Sequence, residues 1–139
     1  MIPERLKKIV TLLRDKTSEK KAIWNKTSGQ DEYKLQIGEG SSIVVSFDYG
    51  NYNSEYITIS IFNKNGDMVE RYDNENEQDE DSSKLLWSFH KAARDSYYKV
   101  EETMEHLLNE ISKQDVVGIK EEKKIIPPAM LGDDDDLPF

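Results

Sequence analysis

The sequence predicts an α+β fold: an antiparallel β meander packed by an N-terminal helix and a C-terminal helix pair, followed by a flexible tail. Three observations carry this expectation. Apolar residues recur at helical spacing in 3–17 and again in 86–111, and they alternate at period two across 32–72. Both patterns stop after Lys113. Helix, meander and then helices is an α+β order, in which the helices cover one face of the sheet.

The first helix is read over "PERLKKIVTLLRDKT", where Leu6, Ile9, Val10 and Leu13 make one apolar stripe. Pro3 suits its first turn, because the N–H that proline lacks would be unpaired there. In the polar run that follows, Ile23 and Trp24 are expected to form a short strand or a lid over the core. "EYKLQI", "SIVVSFDY" and "EYITISIF" are the clearest strands. The last sets Ile57, Ile59 and Ile61 on a buried face, and Tyr56, Thr58, Ser60 and Phe62 on a partly wet one. Asn65-Gly66 predicts a type I′ hairpin turn, whose two central residues both need positive φ, with "DMVERY" as the return strand. Residues 73–83 read as an acidic loop in which Ser82 or Ser83 caps the next helix. Leu86, Phe89, His90, Ala93 and Tyr97 form one helical stripe, and Val100, Met104, Leu107, Leu108 and Ile111 a second. They predict a helical hairpin or one long bent helix, with Leu107 and Leu108 meeting the sheet or the first helix. The domains expected are 1–113 as the folded part, 114–132 as a flexible linker with two adjacent prolines, and 133–139 as an acidic tip.

Composition narrows the function classes. The 139 residues suffice for one domain plus a tail, and a formal net charge of −9 argues against tight sequence-independent nucleic-acid binding. There is no cysteine, and so no disulfide or thiolate metal site. No apolar run approaches spanning length, and "MIPERLKKIV" lacks the apolar core of a signal peptide. The expectation is a soluble cytoplasmic protein with no membrane role.

Catalytic chemistry has little footing. His90 and His106 are the only histidines, and each reads as a helix residue packing or bonding locally. The acidic loop has no glycine and so lacks the turn of a calcium-binding loop. No phosphate-binding glycine loop or serine elbow occurs. A non-enzymatic protein without metal or cofactor is the expectation. Around the first helix Arg5, Lys7, Lys8, Arg14, Lys16, Lys20 and Lys21 collect, with Trp24 and Tyr33 nearby. Cations interleaved with aromatics can bind single strands by phosphate neutralisation and base stacking. Basic residues also routinely coat the wet side of an amphipathic helix.

The most specific signal is "DDDDLPF". An acidic run alone serves solubility, but it leaves Leu137, Pro138 and Phe139 unexplained. A phenylalanine taken from water into a partner's pocket is worth about 1.5–3 kcal/mol. Pro138 limits the entropy lost on docking. An α-carboxylate on Phe139, beside the ring, would suit a pocket with Arg or Lys at its rim. Asp133, Asp134, Asp135 and Asp136 would steer the tip toward a basic surface.

Residues 133–139 resemble the C-terminal tip of bacterial single-stranded DNA-binding proteins, where an acidic peptide closes in Leu-Pro-Phe or Ile-Pro-Phe after a Pro- and Gly-containing linker. The resemblance covers 7 of 139 residues, and the rest of the chain does not follow that family's strand barrel. It implies that Phe139 anchors the tip, Pro138 sits beside it, and Asp133–Asp136 form the electrostatic part. The implied partners are bacterial replication, recombination and repair proteins with a basic-rimmed apolar pocket. The leading expectation is an interaction protein that mimics or competes with that tail. The alternatives are a single-strand-binding module using the basic first helix and sheet face, and an immunity-type binding protein with an incidental tail.

Overall fold

The computed structural model describes residues 1–121. Residues 1–105 form one compact unit; a second begins at His106. The first helix, α1, runs Glu4–Ser18. It buries Leu6, Val10 and Thr17, with Ile9 and Leu13 packed at the margin of the core. It ends in a Schellman-type turn. Lys20 takes a left-handed φ of 63°, its N–H reaches the Thr17 carbonyl, and the Lys21 N–H reaches Lys16 O at 2.8 Å.

Trp24 is the lid the sequence suggested, while Ile23 beside it is 81% exposed. Trp24 packs edge-on to Phe89 at 5.5 Å, and its Nε1–H donates to Thr17 Oγ1 at 3.0 Å. Thr17 in turn donates to the Leu13 carbonyl. The polar edge of the indole is thus satisfied inside the core, as a buried tryptophan requires. The strand that follows is only Asn25–Lys26 (β1).

Strands β2 (Glu32–Ile37), β3 (Ser41–Tyr49), β4 (Glu55–Phe62) and β5 (Met68–Asp73) complete a five-stranded antiparallel sheet in chain order. Its register aligns Tyr33, Val45, Ile59 and Tyr72 in one row and Leu35, Ile43 and Ile61 in the next. Both rows point into the core. A slip of one residue would turn every one of these side chains to the opposite face, so burial fixes the pairing. On the other face Thr58 is buried, and Tyr56, Ser60 and Phe62 are half-buried.

The hairpin between β4 and β5 differs from the expected type I′ turn. Gly66 has φ 87°, but Asn65 does not have positive φ. Lys64, Asn65 and Gly66 form a three-residue loop closed by Asn63 N–H to Asp67 O at 2.9 Å. The Asn63 side chain accepts from the N–H groups of both Asn65 and Asp67. This side-chain turn selects the longer loop with one left-handed glycine. It goes with a bulge at Ile61/Phe62.

Asn74, just past β5, is buried and extends the ladder with its side chain. Its Oδ1 accepts from Ile57 N–H at 2.7 Å, and its Nδ2 donates to Ser83 Oγ at 3.1 Å. Asn74→Ala is therefore expected to cost about 1–3 kcal/mol, since it leaves a buried N–H without an acceptor. A lowered urea midpoint with unchanged slope is the readout.

Helix α2 runs Glu80–Tyr98. Its cap is Asp79, not Ser82 or Ser83 as the sequence suggested. The Asp79 carboxylate accepts from both the backbone N–H and the hydroxyl of Ser82. Ser82 is itself buried, and its Oγ accepts from Ile2 N–H at 3.0 Å, tying the start of α1 to α2. Leu86, Phe89, His90 and Ala93 are buried along α2 as their spacing implied. Tyr97 is 37% exposed.

Lys99, left-handed at φ 54°, ends α2, and α3 (Val100–Lys113) begins at once. Here a third expectation is corrected. Leu107 and Leu108, expected to be packed, are 51% and 67% exposed, and α3 has no buried residue. Among the described residues, the helical part of the core comes from α1 and α2. A periodic stripe states that a helix has a face to bury, and not what buries it. Residues 114–121 carry neither helix nor strand. The remainder of the expected linker and the whole tip lie outside the described residues.

Candidate functional site

Of the residues singled out in the sequence, Asp133–Phe139 lie outside the described part, and the seven cations lie within it. Helix rotation separates those cations. Arg5, Lys8 and Lys16 line one exposed edge of α1 together with Leu12. Lys7 and Arg14 flank a shallow groove shared with Asp81, Lys84 and Ser88 of α2. Lys20 and Lys21 follow the helix end. Three are engaged by acids: Arg14 with Asp15 at 3.4 Å, Lys20 with Glu101 at 3.1 Å, and Lys21 with Glu19 at 3.5 Å. The hydrogen bond and charge of Glu101 raise the Lys20 pKa above its ordinary value. Among the described residues, Arg5, Lys7, Lys8 and Lys16 have no acid partner within 4.0 Å.

Two further features were not singled out as sites. The first is an open groove of about 750 Å³ between the end of α1, the run into β1, and the α2–α3 junction. Ala22, Ile23, Trp24, Val100 and Met104 give it apolar lining, and Lys20, Asp95, Glu101 and Glu102 give it charge. It brings together residues from three separate stretches of the chain, which no local pattern could reveal.

The second is an aromatic cluster on the buried sheet face. Tyr33 packs against His90, Tyr97 and Tyr98 at 5.7–6.3 Å, and Phe47 packs against Tyr49, Trp87 and His90 at 5.2–6.0 Å. The Tyr33 hydroxyl is buried without a hydrogen-bond partner. Burial pushes its pKa well above the ordinary phenol value, and neighbouring Tyr98 adds to the rise without a formed hydrogen bond. Among the described residues no proton acceptor lies within hydrogen-bond distance of that hydroxyl.

His90 Nε2 lies 3.0 Å from the Asp31 carbonyl, which fits a neutral ring donating to a backbone oxygen. Burial lowers its pKa, against the Asp31 backbone bond that raises it; the charges facing it are Asp31, Arg94 and Asp48. The fold takes up the neutral ring, so its contribution is full above the ordinary value of 6.5 and is lost as pH falls through the lowered one. A second loss follows in more acid solution. The Asp79 N–H and then the Met1 ammonium lower Glu77, and the Ser82 hydroxyl and N–H lower Asp79. These contributions are full above the ordinary 4.5 and 3.8 and disappear as pH drops through the lowered values. Urea midpoints from pH 8 to pH 3 are expected to fall in two steps. His90→Gln is expected to remove the first step and leave the second.

Among the described residues no group of three or more His, Cys, Asp or Glu is arranged to hold a metal ion, and no helix is long and apolar enough to cross a membrane. No protein-family model, curated protein or solved structure matches the chain.

Proposed function

We propose that the protein is an interaction protein whose acidic tip docks on bacterial replication, recombination or repair proteins that receive the tail of single-stranded DNA-binding proteins. The observation that carries this reading is the order Asp133-Asp134-Asp135-Asp136-Leu137-Pro138-Phe139. The phenylalanine is an apolar anchor, the proline limits its freedom, and the four charges steer it. The test is competition with a labelled tail peptide of a single-stranded DNA-binding protein for a purified tail-binding repair protein. The full chain is expected to displace the peptide, and the chain lacking 133–139 is not.

A second reading, direct binding of single strands, draws on one observation: Arg5, Lys8 and Lys16 share an exposed edge without acid partners among the described residues. The overall charge of −9 opposes it. Salt-sensitive binding of an oligonucleotide by the tip-deleted chain, abolished by reversing those three charges, would favour it over the docking reading.

A further inference from the structure

Among the described residues, nothing is buried against the apolar stripe of α3. Met104, Leu107, Leu108 and Ile111 are 51–67% exposed on a helix of 14 residues. A helix that short is marginal in water when no face is packed. Helical spacing puts Glu101 and Glu105 along one edge of the stripe and Glu110 along the other. Glu101 is paired with Lys20 at 3.1 Å and Glu110 with Lys113 at 4.0 Å, while Glu105 has no cation within 4.0 Å among the described residues. An occupant that brings apolar side chains together with cations suits this surface. A second α3 would set acidic edge against acidic edge, which disfavours pairing of two copies.

We infer that this stripe is a docking surface for the chain's own segment Lys123–Leu131, which lies outside the described residues. The segment has the complementary chemistry: Lys123 and Lys124, then Ile125 and Ile126, then Ala129, Met130 and Leu131. Pro127 and Pro128 between them bring no N–H groups that would need partners against an apolar surface. Reach is ample. The ten residues from Lys113 to Lys123 extend up to about 33 Å, while a 14-residue helix is about 21 Å long. Tethering supplies an effective concentration in the millimolar range, so a weak intrinsic affinity suffices. Docking of this segment is separate from the tip's role, since Asp133–Phe139 follow it in the chain.

Hydrogen exchange on three lengths of chain tests it: full length, ending at Gly132, and ending at Glu121. The α3 amides are expected to exchange alike in the first two and about tenfold faster in the third. A synthetic peptide spanning 120–132, added to the shortest chain, is expected to restore the slow exchange. Glu105→Lys with Glu110→Lys is expected to weaken that peptide several-fold while leaving the circular dichroism of the body unchanged. Equal exchange in all three lengths would overturn the inference, as would a peptide without effect. So would protection in the shortest chain that grows with protein concentration alongside a dimer mass, because the occupant would then be a second copy.

Discussion

Phe89→Ala is expected to destabilise the 1–105 unit by about 3–5 kcal/mol, a large share of the roughly 5–15 kcal/mol that holds such a domain folded. Phe89 is fully buried on α2 and meets the edge of Trp24 at 5.5 Å. The void left by alanine cannot readily collapse, because Trp24 is pinned by its bond to Thr17 Oγ1 and Thr17 by its bond to Leu13. The cost therefore includes the cavity as well as the lost transfer energy. Urea denaturation followed by Trp24 and Trp87 fluorescence reads it. Phe89→Leu, which keeps most of the volume, is expected to lose less. Leu107→Ala, outside that unit and absent from its core, is expected to shift the unit's stability by no more than about 0.5 kcal/mol. Equal effects at Phe89 and Leu107 would contradict the assignment of the core.

Phe139→Ala is expected to do the reverse, leaving the urea midpoint unchanged and weakening the partner complex. Loss of the buried ring is worth about 1.5–3 kcal/mol, or roughly 10- to 150-fold in dissociation constant. The effect should appear chiefly as faster dissociation, since an anchor in a pocket governs residence time. Replacing Asp133–Asp136 with asparagine should instead slow association and flatten the dependence on salt, because those charges act before and around the contact. Competition at two ionic strengths distinguishes the two classes of residue. A Phe139→Ala chain that competes as well as the parent would leave the ring without a role.

The sheet was legible because period two and turn residues are local. The 32–37 and 55–62 runs became β2 and β4 with the bounds their alternation implied. What escaped were decisions made by contacts distant in sequence. Asn65-Gly66 looks like a two-residue turn until the Asn63 side chain captures two N–H groups and lengthens the loop. Ser82 looks like a cap until it is seen bonded to Ile2, with Asp79 capping in its place. Asn74, in an acidic run read as solvated loop, completes the ladder to β4 across 17 residues. The stripe on α3 was visible, but its exposure was not, because hydrophobic spacing does not say which elements have already filled the core. The groove around Trp24 needed three separate stretches of chain to be set side by side. The tip was the opposite case: "DDDDLPF" was legible as chemistry from its order of residues, and the described fold adds nothing to its reading.

The most direct measurement is fluorescence anisotropy of labelled peptide Asp133–Phe139 on a purified repair protein known to take the tail of single-stranded DNA-binding proteins, made once with a free α-carboxylate and once as the carboxamide. Saturable binding of the carboxylate form is expected. It should be displaced by the tail peptide of the single-stranded DNA-binding protein, fall as salt rises, and be much weaker for the carboxamide. Absence of binding, or binding that the tail peptide fails to displace, would contradict the docking role assigned to the tip.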